Sequence, residues 1–224
     1  MNLNPPKLDE RYKRILEFIE PRKNEKILVI GTGVFPKIEY FLFYDFGCKN
    51  IFSGDIDKKN IENGKKVLPG LEFLELDAQK KFPFKCGIFD KIIFTEVLEH
   101  LKNEDFALKG IKRVLKSDGD LILSVPKKRW FSIFSPIYWV QHKREYSENS
   151  IKKVLEKNGF KINKIIVGGG IYDLFNLWLH LIYKYVFKKL HVDNFFKEKI
   201  DKSWKKEFKG KGTDIIIKAN KKLE

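Results

Sequence analysis

The run KILVIG (26–31) limits most strongly what this chain can become. It is short, β-branched and ends in glycine, which reads as a buried strand rather than a helix. A helical stretch follows at 36–46, and the alternation then repeats. NIFSGDID (50–57) is a strand running into a turn, and 58–67 is helical. LEFLELDA (71–78) and FDKIIFTE (89–96) are strands. Residues 103–116 are helical and end at the turn SDGD, and DLILSVP (120–126) is a strand stopped by Pro126. Residues 147–158 form a helix closed by Gly159, followed by the strands FKINKIIV (160–167) and TDIIIKAN (213–220). Strands alternating with helices need a sheet covered on both faces. The predicted fold class is therefore α/β, a doubly wound Rossmann-like sheet, mostly parallel with an antiparallel last strand.

At 224 residues the chain is expected to form a single domain. A hydrophobic fraction of 43% excludes a disordered chain. The two cysteines, Cys48 and Cys86, are isolated, which excludes a disulfide framework and a cysteine zinc site. With no secretory leader in the N-terminal residues, the expected location is cytoplasmic. The net charge is +15, and from Lys184 onward 13 lysines face 6 acids. Such a surface attracts nucleic acid, anionic lipid or anionic small molecules without choosing among them, and it also serves solubility.

Two stretches break the alternation. KKRWFSIFSPIYWVQHKREYS (127–147) is an aromatic insertion. IYDLFNLWLHLIYKYVFKKL (171–190) carries an apolar stripe at helical spacing and opens a helical insertion over 171–212. Asp173, Asn176, His180 and Lys184 make it too polar for a membrane span. Both are expected to cover an acceptor pocket. Their basic flanks also suit an anionic membrane surface, which would put the protein peripherally on the inner face of a membrane.

Four marks point to a ligand. VIGTGVFP (29–36) is a glycine-rich turn between strand and helix, where backbone can approach a bound molecule. Asp55 ends the next strand and can accept hydrogen bonds from ribose hydroxyls. Asp77 and Ala78 end the third strand, where a carboxylate can accept from an adenine amino group. FDKIIFTEVLEHL (89–101) ends the fourth, beside the crevice where such sheets bind ligands. Any one strand-end aspartate is commonly only a helix cap. Four marks in this order are not explained by capping.

In these segments the chain resembles the class I S-adenosylmethionine-dependent methyltransferases, closest to the branch containing ubiquinone-pathway O-methyltransferases. The likeness runs from residue 24 to about 167, through ILVIGTG, GDID, LDAQ, FPF, FDKIIFTEVLEHL, RVLKSDGDLILSVP, QHKREYS and NGFKI. It implies S-adenosyl-L-methionine as cofactor, with Gly31 and Gly33 along its methionine part, Asp55 on the ribose, Asp77 with Ala78 at the adenine, and Glu96 touching cofactor or acceptor. Two departures stand out: Val29 replaces the family's usual acid, and Phe35 replaces a third glycine. NAD fits worse, because Pro36 holds its last fingerprint glycine position.

The expected reaction is O-methylation of a small lipophilic or sugar-derived acceptor. The alternatives are an RNA 2′-O-methyltransferase and a non-catalytic domain of the same fold. A hydroxyl acceptor needs a base or a metal. In EVLEH a helix would put Glu96, Glu99 and His100 on one face. Some metal-dependent relatives carry this pattern plus a distant histidine. The resemblance thus implies Glu96, Glu99, His100 and His142 as ligands of Mg²⁺ or Mn²⁺. The competing readings are a metal-free acid/base set of Glu96, His100 and His142, or an ordinary solvated helix start.

Overall fold

The computed structural model describes residues 6–128, 144–170, 172, 173, 175, 179, 196–205 and 212–222. Its centre is a seven-stranded sheet. The strands are β1 (Ile27–Ile30), β2 (Ile51–Asp55), β3 (Glu72–Glu75), β4 (Phe89–Thr95), β5 (Leu115–Pro126), β6 (Phe160–Gly168) and β7 (Asp214–Lys221), in the spatial order β3-β2-β1-β4-β5-β7-β6. β1 pairs in parallel with β2 (Ile27↔Ile51) and with β4 (Ile27↔Lys91). β7 runs antiparallel between β5 and β6. The predicted mixed sheet is thus present, and it reverses its strand order between β1 and β4. That switch point leaves a crevice at the carboxyl ends of the strands.

The helices are α1 (Glu10–Ile19), α2 (Lys37–Tyr44), α3 (Lys58–Val67), α4 (Glu104–Val114), α5 (Glu148–Lys157) and α6 (Lys197–Lys205). Alternate strand residues feed opposite faces, as strand geometry requires. Leu28, Ile30, Ile92 and Phe94 pack with Ala107, Leu108 and Ile111 of α4 and Ile151 and Leu155 of α5. Ile27, Val29, Ile93 and Ile216 pack with Ile15 and Ile19 of α1, Phe41 and Leu42 of α2, Ile61 of α3 and Trp204 of α6. Each such aliphatic side chain removed from water contributes about 1.5–3 kcal/mol.

Most element ends shift by up to three residues from the sequence expectation, as β3 does in stopping at Glu75, and two differences are larger. β5 starts at Leu115 rather than at 120, because Phe89 pairs with Leu115 and Lys91 with Asp120. The SDGD turn is therefore absorbed as a bulge within the strand. α1 has no counterpart in the sequence reading. Its signals are the Asp9 N-cap, whose side chain accepts from the Tyr12 N–H at 3.0 Å, and the buried stripe Ile15, Leu16, Phe18 and Ile19. Most of the insertions at 127–147 and 171–212 lies outside the described residues. Within the second, Asp173 accepts from Trp204 Nε1 at 3.0 Å and so ties its start to α6. No helix among the described residues is long and apolar enough to cross a membrane.

Candidate functional site

The crevice at the switch point is a cavity of about 680 Å³. Its floor is the turn after β1. Gly31 has φ +94° and Gly33 φ +69°, the left-handed region that glycine enters without steric cost. A Cβ on Gly31 would stand 2.4 Å from Val97 Cγ2, so the turn is pressed against the segment after β4. Asp55, at the end of β2, receives the Gly33 N–H on Oδ2 at 2.9 Å and the Asp57 N–H on Oδ1 at 2.9 Å. Its carboxylate shapes the turn and lines the cavity at once. Asp77, past β3, receives the Gln79 N–H at 2.8 Å and lines the cavity with Ala78. Gly31, Gly33, Asp55, Asp77, Ala78, Glu96 and His100, singled out from sequence, therefore border one space. Carboxylate acceptors and a close-approach glycine turn suit a molecule with ribose hydroxyls and an adenine amino group.

The other wall follows β4. Glu96 sits at φ +55°, an unusual conformation for a residue with a side chain. Its backbone N–H bonds the Ser124 carbonyl at 3.0 Å. Its carboxyl accepts from Ser124 Oγ at 2.8 Å and faces Arg11 Nη2 at 2.8 Å. Desolvation raises the Glu96 carboxyl above its ordinary range, opposed by Arg11 and assisted by Asp214.

The expectation that Glu96, Glu99 and His100 share a helix face is not met. Leu98–His100 is a single 3₁₀ turn, and left-handed Glu96 lies before it, outside any helical phase. Glu96 and His100 still meet on the cavity wall, but Glu99 turns into the core. It has no solvent exposure, and neither carboxyl oxygen has a hydrogen-bond partner among the described residues. Burial, then the neighbouring Glu96, pushes its carboxyl up to about 9, so it holds its proton at neutral pH. His100 Nε2 is 3.8 Å from Glu99 Oε1. Among the described residues no three His, Cys, Asp or Glu side chains are placed to hold a metal ion, and His142 lies outside those residues.

The cavity also has residues that the sequence reading missed. Arg11 and Tyr12 come from α1. Glu39, in the first turn of α2, lines the cavity wall and is only 1% exposed. Ser53 Oγ of β2 donates to Glu39 Oε1, and Thr32 Oγ1 lies 2.6 Å from Ser53 Oγ. When Glu39 is ionised, the Ser53 proton is committed to it and Thr32 is the donor of the second bond. Burial raises the Glu39 carboxyl to about 7. Glu39 was visible only as a lone acid among Ile38, Phe41 and Leu42 on the buried side of a short helix.

A family profile described as a methyltransferase domain matches residues 28–123. The ubiquinone/menaquinone biosynthesis C-methyltransferase UbiE of Haemophilus ducreyi is 28% identical over 141 residues, covering 59% of this chain. The chain spans about half the length of that curated relative, 51%. Among solved structures, the [4+2]-cyclase SpnF superposes with a TM-score of 0.71 at 16% identity, covering 96% of this chain and 81% of that one. Phosphoethanolamine N-methyltransferase 2 of Haemonchus contortus, in complex with S-adenosyl-L-methionine, gives 0.67 at 16% identity, covering 95% of this chain and 52% of that one. At such identities the structural likeness is one of fold. The profile match across β1 to β5, where the glycine turn and strand-end acids lie, and the curated relative make the chain similar in sequence to class I S-adenosylmethionine-dependent methyltransferases.

Proposed function

We propose that this protein transfers the methyl group of S-adenosyl-L-methionine to an oxygen of a small lipophilic or sugar-derived acceptor. The observation that carries the reading is the single cavity bordered by Gly31, Gly33, Asp55, Asp77 and Ala78 on one side and Glu96 and His100 on the other. When bound, the cofactor supplies an electrophilic methyl group on a sulfonium. The chain's own part is to hold, align and dry the reactants. Asp55 and Asp77 offer acceptors to the adenosine hydroxyls and amino group. Gly31 allows close backbone approach.

A hydroxyl acceptor must lose a proton. His100 is the candidate base, since it lines the cavity and its side chain is 45% exposed. Glu96 is already engaged by Arg11 and Ser124, so it serves as the anchor of the wall rather than as a free base. Residues 127–147 and 171–212 supply the acceptor cover in this reading, on the strength of their aromatic sequence. Their basic flanks add contact with an anionic membrane surface, which flotation with anionic liposomes at low salt tests.

A second reading is methylation of carbon, favoured by the name of the Haemophilus ducreyi relative. Incubation with cofactor labelled in the methyl group, against hydroxylated and carbon-nucleophile acceptors, separates the two. Label in an ether product supports the first reading. Label retained on carbon after ether cleavage supports the second.

A further inference from the structure

We infer that Glu39 is the counter-ion for the α-ammonium group of the bound cofactor, a role left open by the apolar Val29. The inference rests on the cofactor reading above. Across the sheet the neighbours are β3, β2 and β1. Asp77 stands past β3 and Asp55 at the end of β2, so adenine and ribose occupy the cavity over those two strands. The amino-acid end is left to the next position inward, the end of β1 and the start of α2. That region holds Gly31, Thr32 and Glu39.

A zwitterion there brings an ammonium and a carboxylate beside the buried Glu39. Besides Asp55 and Asp77, which the cofactor reading gives to the adenosine, the carboxyls lining the cavity are Glu96 and Glu39. Glu96 already faces Arg11 at 2.8 Å. Glu39 has no cation within ion-pair distance among the described residues, and its bonding is confined to Ser53 and its own backbone. Val29, where an acid would otherwise serve, is an aliphatic wall residue 1% exposed. The Thr32–Ser53–Glu39 chain can support a negative carboxylate: Ser53 Oγ bonds Glu39 Oε1 and lies 2.6 Å from Thr32 Oγ1, so both hydroxyls can donate toward an ionised Glu39. Titratable or charged groups bearing on Glu39 are Asp55 of β2 and Tyr12 of α1, with Lys37 beside it on α2. Lys37 is turned to Asp9, at 2.7 Å, and does not neutralise Glu39. The bland role for such a residue is a neutral carboxylic acid stapling α2 to β2, and the two roles differ in what a ligand does to the proton.

The test uses titration calorimetry with two ligands on the whole protein. S-adenosylhomocysteine carries the amino acid, whereas 5′-methylthioadenosine keeps the adenosine and sulfur but lacks it. Glu39→Gln should weaken S-adenosylhomocysteine by about ten- to a hundredfold while moving methylthioadenosine by about twofold or less. In the wild-type protein, S-adenosylhomocysteine should release a proton near pH 7, seen as a dependence of the heat on buffer ionisation enthalpy. Its affinity should rise from pH 6 and level off above the Glu39 carboxyl's value of about 7. Methylthioadenosine should show neither effect. Equal losses for both ligands, no loss for either, or the same proton release with both would overturn the inference while leaving the cofactor reading intact. Failure of the wild-type protein to bind either ligand would sink both. Should Glu39→Gln not fold, the proton-release comparison on the wild-type protein decides alone.

Discussion

Arg11 of α1 reaches Glu96 at the end of β4, with Nη2 2.8 Å from Oε1. The same guanidinium lies 3.8 Å from Asp214 and sits over the Trp204 ring at 5.9 Å. One side chain thus joins the N-terminal helix, the cavity wall, the first residue of β7 and α6. It also brings a positive charge to the one non-glycine residue of that wall held in the left-handed region.

Arg11→Ala should therefore lower stability by about 1–3 kcal/mol, with the smaller values favoured by the partial exposure of both partners. The Glu96 carboxyl, already raised, should rise further once its cation is gone. Denaturant unfolding checks the first effect. Unchanged stability would reduce the pair to a surface contact.

Glu99 gives a prediction with a sign. Its carboxyl titrates near about 4.3 in an unfolded chain and at about 9 when folded. The folded state holds the proton more tightly. The associated stability is complete below the unfolded value and is lost as pH rises through about 9. Glu99→Gln keeps the neutral shape without the proton. Relative to the wild type it should gain at least about 1 kcal/mol between pH 5 and pH 8. Parallel unfolding curves for the two proteins across that range would show that Glu99 is not protonated.

How much of this was legible in the sequence depends on what fixes each part. Strands such as KILVIG and FDKIIFTE announce themselves because burial on both faces demands an unbroken apolar run. Asp55 and Asp77 were legible because strand ends in such sheets face the crevice. EVLEH was misread because its spacing suits a helix, while the close approach of Gly31 and Val97 fixes a different backbone there. The places of Arg11 and Glu39 in the site were not legible for another reason. Their neighbours in the site are distant in sequence: Glu96 for the first and Ser53 for the second. Only the folded sheet brings them together.

The Gly31 position can be tested directly. Alanine there must adopt φ +94° and put a methyl group 2.4 Å from Val97 Cγ2. Gly31→Ala should cost about 2 kcal/mol or more and shift the turn away from Val97. Adding Val97→Ala should recover part of the loss, because the clash is with a side chain. If the double variant is no better than the single one, backbone strain alone accounts for the effect.

Asp55 requires a more careful comparison, because its carboxylate already accepts from two backbone N–H groups, those of Gly33 and Asp57. Asp55→Ala removes both of these and any ligand contact together. A carboxylate accepting hydrogen bonds contributes about 1.5–3 kcal/mol, so S-adenosylhomocysteine should bind at least about tenfold more weakly. Asp55→Asn isolates the ligand's share. Its amide oxygen can still accept from one of the two N–H groups, but the NH₂ group cannot accept from a ribose hydroxyl. Turn support would then be partly kept while ribose recognition is halved. If Asp55 holds the ribose, Asp55→Asn should keep most of its thermal stability and still lose affinity. It should lose far less for a 2′,3′-dideoxy analogue of the ligand, whose binding never used the hydroxyls. If Asp55 is only a turn residue, the dideoxy analogue and the natural ligand should weaken by the same factor, in step with the melting temperature.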